Sequence, residues 1–88
     1  MYYVYVLSSL KDKDMYVGYT SDLKRRLSEH NEGKSFSTAP RKPFKLVYYE
    51  AYMSKRDAER RERGLKLRGQ ARVHLLGRLT ESLRQAQN

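Results

Sequence analysis

None of the 88 residues is cysteine, so the chain can build no disulfide, no thiolate metal site and no cysteine nucleophile. It also lacks tryptophan and has only two phenylalanines and two prolines. No run approaches the roughly 18 apolar residues that cross a bilayer. Met1 to Leu10 lean apolar, but they show neither a leading basic stretch nor a small-residue cleavage pattern, which argues against a secretory signal. Acids are scarce, 10 against 19 Lys and Arg, for a formal charge of +9. The expectation is a cytoplasmic protein off the membrane, with a polyanion as partner.

What is present suffices for one small domain, 1–88. A chain of this length buries only roughly 60–65% of its unfolded surface, so the core is small. Hydrophobic residues make up 39%, too many for plain disorder, and eight tyrosines supply most of the aromatic content.

Tyr2 to Leu7 is a β-branched and aromatic run that predicts a strand. Lys11 to Asp14 is a polar turn, and Met15 to Thr20 a second strand, completing a hairpin. Ser21 or Asp22 then caps a helix carrying Leu23, Leu27 and His30, which Asn31 and Gly33 stop. Residues 32–43 form a loop long enough to need a functional reason. Phe44 to Tyr52 is a third strand. Ser54 with Asp57 three residues on is a capping box that opens a second helix near 55. That helix runs to about Leu67, Gly69 breaks it, and Val73, Leu76, Leu79 and Leu83 predict one C-terminal helix over about 70–85. The class expected is α/β: a three-stranded, mainly antiparallel sheet flanked by helices, ββαβα plus the C-terminal helix.

Charge is concentrated. Residues 54–72 hold eight Lys and Arg against three acids, a net +5. Lys24, Arg25 and Arg26 add to it in the first helix, and Lys34, Arg41, Lys42 and Lys45 around the long loop. Any one of these reads as a solvated side chain, but together they read as a nucleic-acid surface whose binding weakens as salt rises. The candidate contacts are Lys24 and Arg25 in the first helix, and Lys34, Arg41, Lys42, Lys55, Arg61 and Lys66, with the long loop and the second helix as the expected contact surface.

Three positions suggest chemistry. Glu62 lies on the apolar stripe marked by Ala58 and Leu65, where a carboxylate is costly unless it has a partner. It either pairs with an arginine such as Arg26 or Arg61, or offers an oxygen to Mg²⁺, which accepts one or two carboxylates when water and phosphate complete its shell. Arg26 and His30 stand four apart on one helix face. They are either a surface pair, the histidine favouring the helix dipole, or a guanidinium for a phosphate with an imidazole to relay a proton. Tyr3 and Tyr5 share one face of the first strand, and Tyr16 shares a face with Gly18. Tyrosines pack well in a small core, but a glycine inside a strand marks a bulge or a close approach.

Tyr3-Val4-Tyr5, Tyr16-Val17-Gly18, the stretch Asp22 to Asn31, Leu46 to Glu50, and then Ala58 and Glu62 together resemble the GIY-YIG nuclease superfamily over residues 2 to about 67. Within it the chain most resembles the small stand-alone bacterial (YhbQ-like) branch. The resemblance implies Tyr5 and Tyr16 as active-site tyrosines, Gly18 as the residue shaping the pocket, Arg26 on the phosphate, His30 as an auxiliary group and Glu62 as sole protein ligand of Mg²⁺ or Mn²⁺. Tyr3 stands where the family has its first glycine. The asparagine that longer members place after the glutamate helix has no counterpart within these 88 residues.

The function expected is metal-dependent phosphodiester hydrolysis, on DNA ahead of RNA, in repair or recombination, by a monomer or weak dimer that uses a protein partner for targeting. Glu62 would hold one cation, Arg26 would stabilise charge on the phosphate, and Tyr5 or Tyr16 would orient or deprotonate water. A free tyrosine has a pKa near 10, so phenolate at pH 7 costs about 4 kcal/mol. Arg26 and the metal would lower that cost; otherwise His30 or the substrate phosphate takes the proton. The rival readings are a module that binds nucleic acid without cutting it, and a structural RNA-binding protein of a larger assembly.

Overall fold

The computed structural model describes residues 1–67 and 69–87. β1 (Tyr2–Ser9) is the central strand, paired antiparallel to β2 (Met15–Thr20) on one side and β3 (Phe44–Tyr52) on the other. Its unbroken apolar run suits a strand covered on both faces: Val4, Tyr5, Val6 and Leu7 are all buried. Tyr3, Tyr5 and Leu7 point to one face, Val4 and Val6 to the other. The β1–β3 register shifts between Val6 and Leu7, so β3 carries one extra residue, Val47. The bulge lets both Leu46, opposite Leu7, and Tyr49, opposite Tyr5, serve the tyrosine face.

The hairpin turn is built from its own side chains. Ser9 Oγ accepts the Lys11 and Asp12 N–H groups, Asp12 Oδ1 accepts that of Asp14, and Lys13 takes the left-handed conformation at φ 63°. α1 (Leu23–Asn31) starts at Asp22, whose carboxylate accepts the Arg25 N–H at 3.1 Å. It lays Leu23 and Leu27 over Tyr5, Leu7 and Phe44. The opposite face is covered by α2 (Lys55–Leu67), α3 (Gly69–Arg78) and α4 (Thr80–Gln87), which contribute Ala58, Leu65, Leu75 and Leu83 to a core around Val4, Val6 and Val17. Ser54 Oγ accepts the Asp57 N–H at 3.4 Å, the serine half of the capping box. No helix among the described residues is long and apolar enough to cross a membrane.

The sheet and its flanking helices stand as expected, with two differences. The C-terminal segment is two helices instead of one over about 70–85. Leu76, Leu79 and Leu83 keep helical spacing, but Gly77 favours a helix weakly. The Thr80 hydroxyl turns back to the Gly77 carbonyl, and Leu79 begins the next helix by accepting the Leu83 N–H. Gly69, expected as a breaker, is the first residue of α3.

The loop 32–43 is also more ordered than its composition suggests. Asn31 closes it by exchanging two hydrogen bonds with the Phe44 backbone, at 2.6 and 3.1 Å. Thr38 is buried, Ala39–Arg41 forms a short 3₁₀ turn, and the Ser9 hydroxyl donates to the Arg41 carbonyl.

Candidate active site

Gly18 sits directly across from Tyr5. A Cβ at this position would fall inside the Tyr5 phenol, so the glycine is the space the ring occupies. The ring is thereby laid toward β2, beside Tyr16 (ring centroids 6.3 Å apart) and His30 (5.8 Å). Tyr16 and Phe44 enclose the imidazole further, at 5.0 and 5.9 Å.

His30 is completely buried, unlike a histidine of a surface pair. Its Nε2 lies 2.9 Å from the Tyr5 hydroxyl and its Nδ1 2.8 Å from Thr38 Oγ1. Thr38 donates its proton to the Ser35 carbonyl at 3.4 Å, which leaves its oxygen to accept. The network therefore assigns the Nδ1–H tautomer, with Nε2 accepting from Tyr5. Burial, and then the Arg26 charge, push the His30 pKa down to about 4, so the ring is neutral at pH 7. The surface reading, a charged histidine on the helix dipole, does not hold.

Burial raises the Tyr5 hydroxyl to about 12 in spite of the neighbouring Arg26. Phenolate there costs about 7 kcal/mol at pH 7 instead of the 4 of a free tyrosine. In the resting protein Tyr5 is thus a neutral donor to His30. Tyr16 differs: among the described residues its hydroxyl has no hydrogen-bond partner, and the residue is half-buried. Arg26 is held by Glu29 at 3.1 Å and by Ser35 Oγ at 3.3 Å, with its side chain 31% exposed. Burial works against its charge, but Glu29 and the two phenols outweigh that and keep its pKa above the usual value.

Glu62 reaches this cluster from the other side of the sheet. Ala58 and Leu65 anchor α2 beneath Val4, Val6 and Val17, while Lys66 extends round the free edge of β2 to place its ammonium 5.6 Å from the centre of the Tyr16 ring. The same ammonium is 3.2 Å from Glu62, and the Glu62 charge is close enough to bear on the Tyr5 hydroxyl. Glu62 therefore pairs with Lys66, one turn on, and not with Arg26 or Arg61. No three His, Asp or Glu side chains converge among the described residues.

Arg26 with Glu29, the Tyr5 and Tyr16 phenols and the buried His30 imidazole thus lie together beside Gly18, with the Glu62–Lys66 pair approaching Tyr16 from the far side of the sheet. The GIY-YIG catalytic domain family matches residues 1–74. The chain belongs to the GIY-YIG family. It is 51% identical over 61 residues to a UPF0213 protein of Streptococcus agalactiae, covering 68% of each chain. To a UPF0213 protein of Clostridium perfringens it is 44% identical over 63 residues, 70% of this chain and 67% of that one. The solution NMR structure of the UPF0213 protein BH0048 from Bacillus halodurans superposes with a TM-score of 0.55 at 40% identity, covering 88% of this chain and 84% of that one. The chain is accordingly a UPF0213-type GIY-YIG domain, and the coarse class that follows is a nuclease acting on nucleic acid.

The expected contact cations are not equally available in this GIY-YIG domain. Arg61 is taken up inside the fold, where its Nε and Nη2 both donate to Glu50, at 2.9 to 3.1 Å. Tyr48 and Tyr52 donate to the same carboxylate. Arg41 is likewise engaged, with Asp12 at 2.7 Å, the Met15 carbonyl and the Phe44 ring. Arg25 and Lys34 make exposed pairs with Glu29 and Glu32. Among the described residues Lys24, Lys42 and Lys55 make no ion pair. Thr38, Ser35 and Glu29, which support His30 and Arg26, were missed from the sequence. The cluster of hydroxyls in an overlong loop was the one available signal for the first two.

Proposed function

We propose that this domain is a metal-dependent endonuclease that hydrolyses phosphodiester bonds in DNA, in a repair or recombination setting, with Glu62 as the one protein ligand of Mg²⁺ or Mn²⁺. The observation that carries the reading is that Arg26 and the Glu62–Lys66 pair both come up to Tyr16, whose hydroxyl has no hydrogen-bond partner among the described residues. Glu62 fits the metal: it is one half-buried carboxylate, as an ion completed by water and phosphate oxygen requires. Its pair with the half-exposed Lys66 is of the i, i+4 kind worth roughly 0.3–0.5 kcal/mol, so it opens at little cost. A bound divalent cation supplies Lewis-acid neutralisation of the charge that develops on the phosphate and the leaving oxygen.

The chain's own groups divide the remaining work. Arg26, oriented by Glu29 and Ser35, faces the phosphate and stabilises its charge. The Tyr16 hydroxyl holds the attacking water, and Lys66, once released from Glu62, adds a positive charge beside it. Tyr5 and His30 are too deep to meet substrate. They act as positioning residues, fixing the floor on which Tyr16 and Arg26 stand. At about 12, the Tyr5 pKa makes this residue a poor base, which leaves Tyr16 or a substrate phosphate oxygen to take the proton.

Cleavage of a panel of DNA and RNA structures with Mg²⁺, Mn²⁺ or chelator tests the proposal. Glu62→Ala and Arg26→Ala should each abolish metal-dependent cleavage while the fold persists. Retained cleavage in either overturns it, and salt-sensitive binding with no metal-dependent cutting would favour the rival module that binds without cutting.

A further inference from the structure

Phe36 is 97% exposed, although its loop is among the better tethered parts of the surface. A phenylalanine left in water forgoes roughly 1.5–3 kcal/mol of burial, and single exposed apolar residues are common enough to need no explanation. This one differs by its place. Ser35, immediately before it, takes a hydrogen bond from Arg26 on its hydroxyl and the Thr38 and Ala39 N–H groups on its carbonyl. Thr38, two residues after it, is buried against His30 Nδ1. Lys34 N–H is bonded to the Glu29 carbonyl, and Asn31 clamps the loop to Phe44. The chain on either side of Phe36 is therefore pinned to Arg26 and to His30, and the ring projects from between them. Met53, Leu67 and Val73 are also strongly exposed, but among the described residues Phe36 is the one flanked on both sides by side chains bonded to Arg26 and His30.

The surroundings select the partner. From residue 33 to residue 49 the chain has four cations and no acid; Arg41 is held by Asp12 and Lys34 makes an exposed pair with Glu32, while Lys42 and Lys45 make no ion pair among the described residues. An aromatic ring raised among cations suits a polyanion with flat apolar faces, which is what a nucleic acid offers. In continuous duplex those faces are stacked on one another, and opening a step costs a few kcal/mol. An unpaired base presents its face at no such cost.

We propose that Phe36 is a stacking platform for an unpaired base next to the phosphate faced by Arg26, and that the substrate is nucleic acid with an unpaired or unstacked nucleotide, not continuous duplex. This rests on the nuclease reading above for the phosphate beside Arg26. It goes further by naming the structural class of substrate.

Because the chain has no tryptophan, Phe36→Trp creates a unique fluorophore at this point. The variant is titrated, in chelator so that no cleavage occurs, with a DNA duplex carrying a one-nucleotide bulge, with the same bulge made abasic, and with blunt duplex of equal length. The expected result is quenching by the bulged duplex alone. Phe36→Ala should weaken binding of the bulged duplex by about 5- to 140-fold, the range of one base–aromatic stack, and binding of blunt duplex by less than about twofold. The ring makes no packed contact, so the alanine variant should melt with the wild type.

Equal quenching by the abasic and intact bulges, or an equal loss on bulged and blunt DNA, overturns the proposal. So does a change in sedimentation of Phe36→Ala with DNA binding intact, which would assign the ring to a protein contact. The metal-free readout is separate from cleavage: bulge-selective quenching without any cleavage supports the stacking site and sinks the nuclease reading, and cleavage without quenching does the reverse.

Discussion

Lowering the pH from 7 to 5 should destabilise this domain through one residue, His30. In the unfolded chain an imidazole titrates near 6.5. In the fold the same group is enclosed by Tyr5, Tyr16, Phe44 and Thr38, faces the Arg26 charge, and titrates at about 4. Between those values the unfolded state binds a proton that the native state does not, so stability rises with pH across the window and is flat above it. Stability is complete above about pH 6.5 and is lost as pH falls toward 4. From pH 7 to pH 5 the loss works out at about 2 kcal/mol. Carboxylates contribute little over that interval, since their unfolded values lie near 4. With a urea m-value of about 1 kcal/mol/M for so short a chain, the midpoint should fall by about 2 M. Equilibrium urea unfolding at pH 7, 6 and 5, followed by circular dichroism, measures this. His30→Gln, which keeps a polar group toward Tyr5 but cannot charge, should lower stability at pH 7 and remove most of the slope. A flat wild-type profile over pH 7 to 5, or an unchanged slope in the glutamine variant, would refute the assignment of His30 as a buried neutral acceptor.

Gly18→Ala should cost about 1–3 kcal/mol, because the new methyl displaces the Tyr5 phenol and breaks its bond to His30; a thermal melt unchanged from wild type would contradict the close approach. Glu50→Ala should cost about 2 kcal/mol or more in chemical denaturation, since it strands the Arg61 guanidinium and two tyrosine hydroxyls in a half-buried site. Nucleic-acid binding should weaken with salt, and Lys24→Ala, which removes an exposed cation with no ion pair among the described residues, should reduce the slope of log Kd against log salt by about one if that lysine meets a phosphate. Binding isotherms at four salt concentrations are enough to tell.

The elements were legible because each rests on a local pattern. β3 and α2 begin and end where the apolar run and Ser54 place them, and the Tyr5–Gly18 relation follows from period-two alternation once the hairpin is drawn. Two kinds of information were not local. The break at Leu79 depends on a single glycine and a threonine hydroxyl inside a stripe that still has helical spacing. The depth of His30 depends on a loop folding back: Thr38, eight residues on, supplies the oxygen that makes a buried imidazole tolerable. From sequence, Arg61 and Lys66 were equivalent basic residues of one helix. In the fold one is enclosed by Glu50 and the other reaches the tyrosines, a distinction that only the rotation of α2 against the sheet decides.

That rotation connects the two faces of the molecule. The phenols and Arg26 lie on the α1 side, whereas Glu62 belongs to a helix on the other side, and hydrophobic contact alone leaves a helix free to slide or turn by small amounts. Ala58 and Leu65 are small or featureless in this respect. The bidentate grip of Glu50 on Arg61 is directional, and it acts on the residue immediately before Glu62. Because Glu50 is fixed in β3 by its pairing opposite Val4 and by two tyrosine hydroxyls, the grip transfers the register of the sheet to the azimuth of the helix. A costly half-buried ion pair on the face away from the phenols thus has a structural reason. It fixes the rotation of the helix that carries Glu62 and Lys66, and Lys66 bridges from Glu62 to the Tyr16 ring at the edge of β2.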